Sequence, residues 1–321
     1  MQVLETALTR LIGTRLPIVQ AGMSWASSCS ALPLAVSRAG GLGVVAAGPM
    51  RPHDLVRAVD EVRAGTDQPW AVNLPLYRKS ADEIMDLLVA RRPSVLIASQ
   101  GGPRRYLQRF RDAGTVCLHV VSSREHAEKA VDAGVDGLVV VGGEAGGHPP
   151  PDLVATHVMV RAVVRALPGV PVVASGGISD GAGLASVLAA GASGAQFGTR
   201  FLASDEATVH RAYKQAVVDA TVDGTRTVGA GLGVIRGVAN RFTEEMAELE
   251  RSGADLEARR TFFLKSTLRD AAVHGDVERG KVEAGQSAGL VDEVLPASTI
   301  VQRLVEEYAA ARAALPEVRE R

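Results

Sequence analysis

Eight short β-rich runs, separated by stretches of helical period, constrain this chain more than any other feature of its sequence. The runs are "LPIVQAGM", "GLGVVAA", "WAVNLPL", "SVLIASQ", "VCLHVV", "GLVVVGG", "PVVASGG" and "GAQFGTRF", spread between residue 16 and about residue 220. Between them lie segments 28–39, 53–64, 80–91, 103–113, 123–133, 155–167, 180–190 and 205–219, each long enough for a crossover helix. Strands that alternate with helices pair in parallel, because a parallel neighbour is reached only by a crossover. Eight such units are the number that closes a barrel, and the eighth run is reached near residue 200, inside the roughly 250 residues usual for that architecture. The expected fold is α/β, a (β/α)₈ TIM barrel. An open doubly wound sheet stays as the alternative, since strand count alone does not prove closure.

Local chemistry supports the helical segments. In "SSREHAEKAVDAGVD", Ser122 or Ser123 can cap, Ala127, Ala130 and Val131 share a face, and Gly134 ends the helix. After residue 220 the pattern changes: "TVDGTRTVGAGLGVIRGVAN" reads as glycine-rich and irregular, followed by charged segments with modest apolar stripes. The expected division is a barrel over 1–221, a helical lid over 222–290, and a C-terminal segment over 291–321 whose helix packs back on the barrel.

Composition excludes several classes of function. With 321 residues, 46% of them hydrophobic, the chain can bury a full core, and its net charge of -1 leaves no basic stripe for nucleic acid. Cys29 and Cys117 are too few for a disulfide framework or a four-ligand zinc site. The seven histidines are scattered and none forms an HExxH pair, so no metal site is expected. The N-terminal "MQVLETALTRLIG" lacks the apolar core of an export signal, and no apolar run nears the roughly 20 residues that span a bilayer. A cytoplasmic protein without a membrane or nucleic-acid partner is the expectation; a homodimer is left open.

In a barrel of this kind ligands sit at the carboxyl ends of the strands. There the chain offers "QAGM", Asn73, Gln100, "GGEAGGH", "ASGGISDG" and "FGTRF". The glycine pair and helix start after strand seven, with Gly198 and Thr199 after strand eight, place main-chain N–H groups where they can meet one phosphate. No "GxxxxGK[ST]" occurs, and "GGEAGG" lacks the context of a dinucleotide fingerprint. Flavin mononucleotide (FMN) fits instead, with its phosphate in the last two loops and its ring over the mouth.

Taken together, "QAGM", "AVSRAGGLGVVAAG", "VNLPL", "GGEAGGH", "VVASGGISDGAGLASVLAAGASGAQFGTRFLAS" and "AGQSAGLV" resemble the nitronate monooxygenase (2-nitropropane dioxygenase) family. That superfamily also holds enoyl-acyl-carrier-protein reductase II and NADH:quinone reductases. The match covers most of residues 10 to 292. The resemblance implies an FMN-dependent barrel with a lid that oxidises nitronates with O₂ to carbonyl compounds and nitrite, and it puts the family's motif histidine at His148. It implies FMN contacts from Ala21, Gly22, Met23, Asn73, Gln100, Gly146, Ser175, Gly176, Gly177, Gly198, Thr199 and Gln286. The alternatives are an NAD(P)H-dependent flavin reductase of an enoyl thioester or a quinone, and, from another class, a non-catalytic FMN-binding barrel. Where some quinone-reductase relatives carry a lysine after the strand-five histidine, this chain has Val120, which weighs against the quinone reading.

With flavin carrying the electron chemistry, the protein supplies orientation and proton handling. Histidine titrates near neutrality, so His148 can take an α-proton or hydrogen-bond a nitro oxygen. Glu144 can orient the loop or the imidazole, or face solvent. His119 can point into the mouth or rest in the barrel interior; Arg200 and Arg236 can meet a carboxylate, a phosphate or substrate; Trp25 can wall the pocket or simply pack.

Overall fold

The computed structural model describes residues 2–77 and 80–316. Its strands are β1 (Ile18–Gln20), β2 (Gly43–Ala46), β3 (Trp70–Pro75), β4 (Val95–Ser99), β5 (Val116–Val121), β6 (Gly137–Val141), β7 (Val172–Ser175) and β8 (Gly194–Phe197). Each pairs in parallel with its neighbours in the order β1-β8-β7-β6-β5-β4-β3-β2. The seam between β1 and β2 closes through a parallel bridge from Val19 to Leu42. Gln20 N–H donates to the Leu42 carbonyl at 3.0 Å, and Leu42 N–H to that of Ile18 at 2.8 Å. The Gln20 side chain reinforces the seam, accepting from Val44 N–H at 2.9 Å and donating to the Val44 carbonyl at 3.2 Å. The sheet is a barrel, and the open alternative is excluded.

Helices α1 (Ala7–Ile12), α2 (Ala31–Ala39), α3 (Pro52–Gly65), α4 (Ala81–Arg91), α5 (Leu107–Asp112), α6 (Arg124–Ala133), α7 (Thr156–Ala166) and α8 (Gly181–Ala189) run through the barrel's circuit. For α6 the cap is Ser123, whose side chain accepts from His126 N–H, and Gly134 ends the helix at φ 96°. Helix α1 plugs the amino end of the barrel. Its Leu8 and Ile12 join Val19, Leu42, Val44, Ala71, Ile97, Val139 and Val173 in one interior cluster. Burying side chains of that size contributes about 1.5–3 kcal/mol each.

The eighth segment departs from the expected 205–219 helix. A short turn, α9 (Thr199–Leu202), follows β8 directly, and α10 (Arg211–Val218) begins only after an irregular stretch of turns. That stretch is claimed by tertiary bonds: Asp205 N–H donates to Leu295, and the Glu206 carboxylate accepts from Ala297 N–H. The glycine-rich stretch read as irregular contains a hairpin, β9 (Thr225–Val228) with β10 (Ile235–Val238). Gly229, Gly231 and Gly233, all at positive φ, supply the reversal between them. Helices α11 (Arg241–Arg251), α12 (Leu256–Lys265) and α13 (Leu268–Ala272) follow. With the hairpin, α11 and α12 share a separate small core of Val228, Ile235, Phe242, Met246 and Phe263, whereas Ala271 and Ala272 of α13 join the main core.

The last helix, α14 (Ala297–Ala313), lies against α2 and α8 and buries Ile300, Val301, Leu304 and Val305. Residues 317–321 of the expected C-terminal segment lie outside the described residues. No helix among the described residues is long and apolar enough to cross a membrane.

Helix α2 crosses the start of β2 main chain to main chain: a Cβ on Gly43 would stand 1.8 Å from the Pro33 carbonyl oxygen. Gly43→Ala should therefore destabilise by about 1–3 kcal/mol or more, as overpacking against an atom that cannot retreat does. A drop of several degrees in melting temperature checks it.

Candidate active site

A cavity of about 1060 Å³ opens at the carboxyl ends of the strands. Eleven of the twelve residues expected to touch a cofactor line it: Ala21, Gly22, Met23, Asn73, Gln100, Gly146, Ser175, Gly176, Gly177, Gly198 and Thr199. His148 lines it too. The twelfth, Gln286, is exposed at the start of a short 3₁₀ turn, and its N–H donates to the Glu144 carbonyl; its neighbours Gly285 and Ser287 face the cavity in its place. The motif "AGQSAG" reaches the site, but through its small residues.

Close backbone crossings explain several of the glycines. A Cβ on Gly146 would lie 2.5 Å from Gly285 N, and one on Gly22 would lie 2.4 Å from Asn73 Cβ. The β8 loop joins the crossing, since Thr199 Oγ1 accepts from Gly285 N–H at 2.9 Å. Asn73 is held by a bond from Nδ2 to the Ile97 carbonyl at 3.0 Å. Gln100 is exposed at φ 55° and Gly101 follows at φ 154°, so the β4 loop turns sharply beneath the mouth. The Ser175 hydroxyl accepts from Gln196 Nε2 at 2.9 Å. Gln196, which also lines the cavity, was not singled out from sequence; a polar residue inside a β8 run of otherwise small and apolar residues was the available signal.

The start of α8 differs from the anion site expected there. Its first turn is already served by two carboxylates: Asp180 accepts from Gly183 N–H at 2.7 Å and Glu307 of α14 from Gly181 N–H at 2.8 Å. Those acids complement the helix dipole and compete with a phosphate for its terminus. The main chain facing the cavity is instead that of Gly176, Gly177, Gly198 and Thr199.

The side chains left with two readings each find a definite place. Glu144 caps α7, with one carboxylate oxygen accepting from both Thr156 N–H and Thr156 Oγ1–H at 2.8 Å. Arg200 is buried and donates to the carbonyls of Ala203 and Glu293. Arg236, buried on β10, donates to the Gly143 carbonyl at 3.0 Å and to Thr225 Oγ1 at 3.3 Å, and lies outside the cavity lining. Its main chain bonds elsewhere, with Gly147 N–H donating to the Arg236 carbonyl at 3.0 Å and Arg236 N–H to that of Gly147 at 2.8 Å. The loop bearing His148 is thus stitched to the hairpin. Trp25 walls the cavity, with the Arg269 guanidinium 5.7 Å from its ring centroid. Burial pushes the Cys117 thiol up to about 12, so it is inert packing.

His119 lines the cavity floor yet is buried, its Nδ1 2.9 Å from the Tyr106 hydroxyl. Burial raises the Tyr106 hydroxyl far above its ordinary range, so it stays protonated. Burial lowers His119, with a hydrogen bond to the Gly101 main chain acting in the opposite direction. The pair supports the β4 loop from below. Two further residues were missed in the sequence: Glu283, which lines the cavity, and Tyr213, whose buried hydroxyl donates to the Glu283 carbonyl at 2.8 Å. Neither sits at a strand end, where the search was directed. Among the described residues no group of three or more His, Cys, Asp or Glu could hold a metal ion.

Comparison with known proteins agrees with this geometry. The family profile described as nitronate monooxygenase matches residues 5–90 and 81–307. The chain is 31% identical to the (3aS,4S,5R,7aS)-5-hydroxy-7a-methyl-1-oxo-octahydro-1H-indene-4-carboxyl-CoA dehydrogenase of Mycobacterium tuberculosis, over 94% of this chain and 95% of that one. The structure of FabK from Thermotoga maritima superposes with a TM-score of 0.90 at 36% identity, covering 97% of this chain and 98% of that one. Nitroalkane oxidase from Streptomyces ansochromogenes gives a TM-score of 0.84 at 32% identity, over 97% and 100%.

Tyr106→Phe would leave His119 Nδ1 buried without its partner, at a cost of about 1–3 kcal/mol. Because the folded value of His119 lies below that of the unfolded chain, its contribution is present at neutral pH and lost as pH falls below about 6.5. Chemical denaturation of the wild type and of Tyr106→Phe between pH 5 and pH 8 (an approximate window about that value) checks both the cost and its direction.

Proposed function

The chain belongs to the nitronate monooxygenase family, whose members are oxidoreductases, and we propose that it uses FMN to oxidise or reduce carbon beside a nitro or thioester carbonyl group. One observation carries this reading: a single cavity gathers the glycine main chains after β7 and β8 together with His148.

The residues present fit the cofactor. Gly198 has φ -99°, and a Cβ there would meet Ala21 Cβ at 3.7 Å and Met23 Sδ at 3.8 Å, which are ordinary contacts. Nothing in the protein itself requires glycine at that position, whereas close approach of a ligand to the main chain does. N–H groups of Gly176, Gly177, Gly198 and Thr199 would hold the phosphate. Gly22 and Met23 would face the ring, with Asn73 and Gln100 near its edge. Bound flavin supplies the electron-accepting and electron-donating chemistry. His148 takes or returns the proton at the reacting carbon, and the exposed position of its side chain at the mouth keeps it within reach of substrate.

Nitroalkanes and nitronates, with O₂ as acceptor, are the first substrate reading, supported by 32% identity to a nitroalkane oxidase. A second is favoured by the size of the site. At about 1060 Å³ the cavity slightly exceeds the range of about 300–1,000 Å³ usual for one drug-sized ligand, which leaves room beside a flavin for an acyl substrate. Similarity to a carboxyl-CoA dehydrogenase supports the same choice, with NAD(P)H or its oxidised form as co-substrate.

Anaerobic addition of NADH or NADPH to the purified holoenzyme separates them: bleaching of the flavin band near about 450 nm favours the thioester reading, and bleaching by nitroalkane or nitronate alone favours the other. His148→Ala should retain flavin and lose about 10²–10⁴ in kcat; full turnover in that variant would remove His148 from the chemistry. Gly198→Ala should fold normally and bind FMN at least tenfold more weakly, about 1.4 kcal/mol, by fluorescence titration.

A further inference from the structure

Glu283 comes into the cavity from the side of the hairpin and α10, and its carboxyl forms no hydrogen bond or ion pair among the described residues. Both flanks of that residue are fixed. The Val282 carbonyl accepts from Val238 N–H on β10 at 2.8 Å, and the Glu283 carbonyl accepts from the Tyr213 hydroxyl at 2.8 Å. The carboxyl lies against the loop that bears His148: a Cβ on Gly147 would be 3.1 Å from Glu283 Oε2. Gly147 is itself pinned by its two bonds to Arg236. A carboxyl with no protein partner is thus held, from two rigid sides, next to the residue that precedes His148.

We propose that Glu283 is a positioning residue for His148, a carboxyl that pairs electrostatically with the imidazole across the cavity wall and sets its charge and orientation. This rests on the role given to His148 above. Burial pushes the Glu283 carboxyl up, while the nearby His148 and then Lys281 pull it down. Lys281 is a weakened counter-ion. Its ammonium lies 3.4 Å from the Phe263 ring centroid and is lowered to about 8 by burial. Other charged or titratable groups around the pair are His126 and Lys129 of α6, His119 of β5 and Tyr213 of α10, all lining the cavity. Arg236 and Glu144 stand behind the loop, and Asp270 of α13 acts on Lys281. Of the acidic side chains among these, only Glu283 faces the cavity. A carboxylate there stabilises a protonated imidazole, which suits a site in which His148 draws a proton from a carbon acid.

Two measurements on the full chain test the assignment. In protein labelled with ¹³C-glutamate, the Glu283 carboxyl resonance, assigned by its absence from Glu283→Asp, is titrated in the wild type and in His148→Gln. The pairing predicts that loss of the imidazole moves the carboxyl titration to higher pH; superimposable curves would overturn it. In the holoenzyme, Glu283→Gln should move the limb of the kcat/KM profile that reports the imidazole to lower pH by about one unit, with the limb largely restored in Glu283→Asp. A profile that falls in height without moving would mark Glu283 as merely structural. His148 is exposed, so its substitution leaves the first measurement available if Glu283→Gln does not fold. Retained turnover in His148→Ala would defeat the proposed function and leave the carboxyl titration standing as a separate result.

Discussion

Closure of the sheet is the constraint on which the rest of this structure depends. Parallel strands cannot turn back on their neighbours, so each edge must find a partner at a distance in sequence. Here β1 pairs with β8 on one side and reaches β2 on the other through the Val19–Leu42 bridge. That brings the loop after β1 beside the loop after β8, so Ala21 and Met23 meet Gly198 across 177 and 175 residues of chain (198 minus 21 and 198 minus 23). The glycine loop after β8 and the loop after β1 are brought to one cavity by the same hydrogen bonds that abolish the sheet's edges.

A second layer of constraint ties the appended hairpin and helices to the mouth. Gly147 and Arg236 exchange two main-chain bonds, Gly146 crosses Gly285 too closely for a side chain, and Thr199 receives Gly285 N–H. These are bonds between backbones or to a buried hydroxyl, and short ones. Gly146 and Gly285 admit no side chain at their crossing, because a Cβ on either would press on main-chain atoms. The loop carrying His148 is therefore shaped by residues more than 80 positions downstream as well as by β6.

How much of this could be read from the sequence follows from where each signal lives. Strands and crossover helices were legible because burial imposes their periods on the chain, as in α6 with Ser123 and Gly134 at its ends. That the glycine loops share one cavity was legible because eight parallel strands all end on the same side of a closed barrel. The β9–β10 hairpin was not, since its strands are only four residues each, show no buried/exposed alternation, and sit among turn glycines. Helix α8 looked like an anion site because nothing local announces that Glu307, 126 residues away, would occupy its first turn. Glu144, left open in the sequence, is taken up by Thr156, and Glu283, which the sequence did not single out, is placed by contacts with β10 and α10 that no spacing reveals.

Helix α14 has a consequence for how the chain comes to be made. It covers apolar faces of α2 and α8 and supplies the acid at the start of α8, yet it is synthesised after both of them. While residues 297–313 are still to be joined, those two helices present bare hydrocarbon to their surroundings. The barrel's outer layer is therefore completed only once α14 has emerged, and until then transiently exposed apolar surface favours aggregation.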